Sequence, residues 1–170
     1  MDDHEVVAGQ LGRAPRAFRR VVARCPYGLP AVTEQAPYDG RGDPFPTTYY
    51  VTCPHLVSAI ARLEAAGGVE RWSRAAASDD ALGASLERAS AEQRIVRREL
   101  AGGELGSDGG TSLELGIGGS RSQEHLKCLH AHVAFTLARP GYELGERILA
   151  EVADPWPSDR CCSDPLGAGD

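Results

Sequence analysis

The sequence has no long apolar run, no excess of basic charge and too few cysteines for a disulfide scaffold, and each absence removes a class of protein. The longest uncharged apolar stretch, Val133 to Ala138, is far short of the roughly 18–20 residues that a membrane span needs. Acidic residues outnumber basic ones, 24 against 18, for a formal net charge of −6. That balance argues against nonspecific nucleic-acid binding, which rests on basic patches. The opening Met1-Asp2-Asp3-His4-Glu5 is acidic where a secretory leader is basic, so the expected location is cytoplasmic. Cysteine appears five times, at positions 25, 53, 128, 161 and 162. That number is odd and sparse, and a reducing compartment favours thiols and thiolate–metal bonds over disulfides. The chain also lacks a G-x-x-x-x-G-K-[ST] nucleotide loop, a G-x-S-x-G elbow and an H-E-x-x-H helix. No internal repeat is present.

What is there reads as one α+β domain over residues 1–155 with a Pro/Gly-rich tail at 156–170. Asp2-Asp3 caps a short helix that stops at Gly12. Strands are expected over 17–24 and 30–35, joined at Cys25-Pro26-Tyr27-Gly28. Pro37, Gly40, Gly42, Pro44 and Pro46 forbid a regular element in the next loop, where the Arg41-Gly42-Asp43 tripeptide is an accident of turn composition. Thr47 to Thr52 then gives the densest β signal. The result is a small sheet of about three strands from the N-terminal half, covered by several helices. Those helices are expected from Pro54 to Gly67, over 69–77, over 78–100, from Arg121 to Arg139 and over 143–153. In the long helix, Leu82, Leu86, Ala89, Ile95 and Val96 are the buried candidates, and Arg94, Arg97 and Arg98 form a solvated face. The Gly/Ser-rich stretch 101–112 is read as a flexible surface loop.

Two constellations could carry chemistry. The first is thiol and imidazole. His125, Cys128 and His132 fall within about 60° of one another on a helix, whereas His130 points away. Cys25 and Cys53 each end a predicted strand in a Cys-Pro step, and if those two strands pair, both thiols can meet Cys128 on the covering helix. Several borderline ligands converging on one point suit zinc or iron. The expected ligands are Cys25, Cys53, Cys128 and His132, with Cys161, Cys162, His130 and His55 as alternates for the fourth. The expected cofactor is Zn²⁺, with an iron–sulfur cluster or no metal as alternatives. The second constellation is Gly116-Ile117-Gly118-Gly119-Ser120-Arg121. Here Gly118, Gly119 and Ser120 amides at a helix start, with Arg121 and Lys127, could cradle an anion.

Four stretches then resemble the DUF501 family, a domain of unknown function: Arg24-Cys25-Pro26-Tyr27-Gly28-Leu29-Pro30, Pro44-Phe45-Pro46-Thr47-Thr48-Tyr49-Tyr50-Val51-Thr52-Cys53-Pro54, Gly116-Ile117-Gly118-Gly119 and Lys127-Cys128-Leu129-His130. Their order and spacing cover about residues 5–152. The resemblance implies a small cytoplasmic actinobacterial protein and brings no activity with it. One departure stands out: the family pattern has a histidine seven positions after the cysteine, where this chain has Phe135, with His132 one turn earlier. Three functions follow as expectations: a Cys/His metal protein, a regulatory module that docks a protein partner or small anionic ligand on the glycine turn without metal, or a metal-dependent enzyme for a phosphate-bearing substrate. Whether the protein is an enzyme is left open, as is its partner; neither nucleic acid nor membrane is expected.

Overall fold

The computed structural model describes residues 2–122 and 124–163; the end of the predicted tail, 164–170, lies outside the described residues. Among the described residues, six α-helices accompany a three-stranded antiparallel sheet, the expected α+β class. Helix α1 (Asp3–Leu11) begins where the Asp2 carboxylate accepts the His4 amide and ends at Gly12, whose φ of 67° closes the last turn. Strands β1 (Phe18–Arg24) and β2 (Pro30–Gln35) form a hairpin around a turn in which Gly28, at φ 84°, donates to the Cys25 carbonyl. Strand β3 (Tyr49–Val51) pairs with the other edge of β2.

The strand order is β1-β2-β3, so the expected return strand 30–35 pairs with β1, and the condition that β1 and β3 pair directly is not met. A short hairpin loop commits β2 to β1, and β3 takes the remaining edge. The ends of β1 and β3 therefore share one side of the sheet but stand two strand spacings apart, about 10 Å between backbones.

Pro54 opens α2 (Pro54–Ala65) at a position where its missing N–H costs nothing. Helix α3 (Gly68–Ser78) follows at once. The Asp79 carboxylate then accepts the Ala81 and Leu82 amides to start α4 (Asp80–Ala101), closed by Gly102 in the left-handed region. Helices α5 (Leu129–Ala138) and α6 (Glu143–Glu151) complete the cover. Tyr49 of β3, Phe135 of α5 and Tyr142 stack edge to face with centroid separations of 5.7 and 5.6 Å, a geometry that favours rings beyond their burial alone. No helix among the described residues is long and apolar enough to cross a membrane.

Three local expectations are corrected. The helix expected from Arg121 begins only at Leu129, because the chain ahead of it is held in other ways: Gly116–Gly119 close a tight turn, and the Leu126 amide donates to Ser73 Oγ at 3.0 Å. Cys128 itself is extended, at φ −156° and ψ 155°. Arg97 belongs to no solvated face; it is fully buried, while Ile95 is 53% exposed. The 101–112 stretch is pinned to the 36–46 loop. Tyr38 donates to Asp108 at 2.9 Å, Ser107 N–H donates to the Gly42 carbonyl at 2.8 Å, and Gly106 lies so close under the Tyr38 ring that a Cβ would meet it at 2.2 Å.

Candidate functional site

Helix α5 is launched by a residue from another helix. The Glu64 carboxylate, near the end of α2, accepts the Leu129 amide at 2.8 Å and stands 2.7 Å from His130 Nδ1. The other ring nitrogen of His130 donates to the Val57 carbonyl at 3.2 Å. An acidic group at a helix start satisfies an orphan amide and complements the dipole. The same carboxylate thus sets both the register of α5 and the plane of the His130 ring.

Cys128, immediately ahead of α5, is half-buried. Burial pushes its thiol above the ordinary range, with Glu64 adding to the rise, and this outweighs the opposing pull of the Ala131 and His130 amides and of Lys127. The thiol is protonated at neutral pH. Beside it, Gly118 at φ 70° approaches so closely that a Cβ would lie 3.3 Å from the Ala131 Cβ and 3.9 Å from Cys128 Sγ. Lys127, the chain's only lysine, donates to the Gly119 carbonyl at 3.0 Å and fixes the turn against the start of α5. From behind, the buried Gln93 amide donates to the Gly116 carbonyl at 2.6 Å.

Between these elements and β3 opens a pocket of about 330 Å³. Its walls come from Tyr49, Tyr50 and Val51 of β3, Val57 of α2 and Ala131 of α5, with Thr47, Cys128 and His130 as polar groups and Gly118 at the edge. The rim holding Thr47 is anchored by Arg97, whose guanidinium donates to the Phe45 and Pro46 carbonyls at 3.1 and 3.3 Å, to Thr48 Oγ1 at 3.2 Å and to the Ser112 carbonyl at 3.1 Å. An apolar cavity of this size with a few converging polar groups has the form of a small-molecule site.

The four first-choice metal ligands are carried by different elements, with Cys25 and Cys53 at the same end of the sheet. Cys25 closes the β1–β2 turn, Cys53 precedes α2, and Cys128 lines the pocket. His132 is buried on α5 with Nδ1 2.8 Å from the Tyr142 hydroxyl. Because the helix starts at Leu129, His125 shares no helical face with Cys128 and His132. His125, His132 and Arg121 instead border a cavity of about 20 Å³, room for a single water. Of the alternates, His130 is engaged by Glu64, and His55, second in α2, keeps a buried Nε2 without a hydrogen-bond partner. Cys161 and Cys162 return to the sheet, where Cys162 packs against the core cluster that includes Cys25 and Cys53. Among the described residues, no group of three His, Cys, Asp or Glu side chains is placed to hold a metal ion.

The glycine turn is also built differently from the expected cradle. It does not open a helix, and the amides of Gly116, Gly119 and Ser120 donate to Ser120, Gly116 and Ile117 carbonyls within the turn. Ser120 Oγ is engaged by the Ser122 carbonyl, and Arg121 is exposed. Glu64, Gln93 and Arg97 had no signal in the sequence beyond ordinary helical polarity. The lone lysine beside Cys128 was the one compositional hint.

The fold and pocket define an α+β protein with a cysteine-lined cavity between its sheet and helices. The model of the family described as "Protein of unknown function (DUF501)" matches residues 21–150, and the chain belongs to that family. The match spans β1 from Val21 onward, β2, β3, α2 to α5 and the whole pocket. Neither a curated protein nor a solved structure matches.

Proposed function

We propose that the cavity between β3, α2 and α5 binds a small ligand with an acyl or aryl body, and that the Cys128 thiol meets the ligand's polar or electrophilic end. The observation that carries this reading is the juxtaposition of a cavity of about 330 Å³, walled by Tyr49, Val51, Val57 and Ala131, with one thiol and one oriented imidazole. The apolar wall would take the body of the ligand by burial. Cys128, protonated and half-desolvated, serves as a donor or a latent nucleophile, and His130, fixed by Glu64, supplies a ring of defined orientation beside it. An anionic ligand on the glycine turn has less support, because the Gly119 and Ser120 amides and the Lys127 ammonium already donate to carbonyls of the turn.

The test uses two alkylating reagents with the same electrophile, 2-bromoacetamide and N-benzyl-2-bromoacetamide, with Cys128 and Cys162 modification followed by mass spectrometry. The benzyl compound should react with Cys128 at a rate that saturates with concentration, and its rate relative to 2-bromoacetamide should be about tenfold higher at Cys128 than at Cys162, corresponding to ~1.4 kcal/mol of prior binding. Val57→Trp, which fills the cavity from its partly exposed side, should remove saturation. Linear kinetics at Cys128, unaffected by Val57→Trp, would overturn the proposal.

A further inference from the structure

The tail beyond α6 runs back across the molecule as a strap. Tyr27, in the β1–β2 turn, donates from its hydroxyl to the Pro157 carbonyl at 2.6 Å, Trp156 packs on the core, and Cys161 is 8% exposed. The strap ends at the side of the sheet where β1 and β3 finish. Gln10 Nε2 of α1 marks the spot: it donates to the Pro30 carbonyl at 2.8 Å and lies 4.0 Å from Cys162 Sγ. Pro30 pairs with Arg24 across the hairpin, and the next residue, Ala31, accepts the Thr52 amide at 2.9 Å. Cys162 therefore arrives at the sheet end bordered by Cys25 and Cys53, packed against the core cluster that holds both. All five cysteines are reduced in the structure. Cys53 is 1% exposed, whereas Cys162 is partly exposed.

We propose that Cys53 and Cys162 form a reversible disulfide that locks the C-terminal strap onto the start of α2. The oxidant is a low-molecular-weight disulfide, RSSR. The Cys162 thiolate attacks it, forms a mixed disulfide and releases RS⁻. The Cys53 thiolate then attacks Cys162 Sγ, forms the protein disulfide and expels a second RS⁻. Two electrons pass from the two cysteine sulfurs to RSSR, and the two thiol protons end on the released thiols. Residue order fits this sequence, because the partly exposed thiol meets the oxidant and the buried one resolves it. Burial and the neighbouring thiols push Cys162 up to about 12, so the exchange is slow at neutral pH and accelerates in alkali. The Cys128 pocket takes no part, and the inference stands or falls apart from it.

The full chain is incubated with oxidised glutathione at pH 8.5, its remaining thiols are blocked, and it is digested briefly with trypsin, which can cut after the exposed Arg160. The expected result is a loss of 2 Da in the intact mass before blocking, characteristic of one disulfide, and, after digestion, retention of the fragment beginning at Cys161 on the body of the protein until dithiothreitol is added. Cys162→Ser, at a partly exposed position that tolerates the change, should release the fragment without reductant, and Cys53→Ser should do the same. Cys128→Ser should still retain it. A Cys161–Cys162 link, a link to Cys25, a glutathione adduct with no internal disulfide, or stoichiometric zinc or iron held by these thiols in the protein as purified would each overturn the proposal.

Discussion

Glu64 Oε1 stands 2.7 Å from Nδ1 of His130 while accepting the Leu129 amide at 2.8 Å, so one oxygen atom joins the end of α2 to the beginning of α5. Glu64→Ala removes both interactions and should cost about 2 kcal/mol in urea unfolding, near the upper range for loss of a helix cap. Glu64→Gln keeps an acceptor and should cost less than half of that. In both variants the ring ¹⁵N shifts of His130 should move, whereas those of His132 should not.

Cys128 should be a slow nucleophile at neutral pH. Burial raises its pKa, so its thiolate fraction at pH 7 lies below that of an exposed cysteine, and the alkylation rate should climb steadily through pH 9 without levelling off. Measuring iodoacetamide labelling against pH checks this. A plateau below pH 8 would mean an activated thiolate in place of a protonated thiol.

His132 gives the fold an acid sensitivity with a defined sign. Complete burial lowers its pKa to about 4, whereas in the unfolded chain it titrates near 6.5. Below that value the unfolded state binds more protons than the folded one. The contribution of neutral His132 is therefore fully present above about pH 6.5, and it is lost as pH falls toward 4, to a total of about 3 kcal/mol. The paired change His132→Phe with Tyr142→Phe removes both hydrogen-bonding groups together and should flatten that part of the stability–pH curve.

Arg97→Met should be among the most damaging single changes outside the pocket. It strips the donor from the Phe45, Pro46 and Ser112 carbonyls and from Thr48 Oγ1, and buried acceptors left unpaired should cost about 3 kcal/mol in total. Arg97→Lys should recover little, since an ammonium lacks the planar fork that reaches several acceptors at once. Because the Pro46–Thr47 rim loses its anchor, saturable labelling of Cys128 by the benzyl reagent should weaken as well.

The elements themselves were legible because their signals are local. Asp2, Pro54, Asp79 and the glycines at 12 and 102 each set a helix end through groups within a few residues, and Thr47 to Thr52 announced β3 by β-branching. The pocket was half legible: Cys128, Lys127, Gly118 and His130 stand out in the sequence, but their joint placement depends on Glu64 capping a helix that starts 65 positions later. A period of 3.6 residues cannot show that a helix will be started from outside, and so the face expected to join His125 to Cys128 dissolves. Arg97 misled for a similar reason. Its neighbours Arg94 and Arg98 do face outward to Glu114, and the distant acceptors on Phe45, Pro46, Thr48 and Ser112 make a buried guanidinium tolerable.

All six residues of β2 are buried, and both of its edges are paired, one by β1 and the other by β3. Its amides have no route to solvent except through loss of the sheet itself, so their hydrogen exchange should report the global unfolding free energy. That gives the molecule an internal reference: protection at the strap or at the first turn of α5, expressed as a fraction of the β2 value, separates a local opening of either region from a weakening of the whole fold.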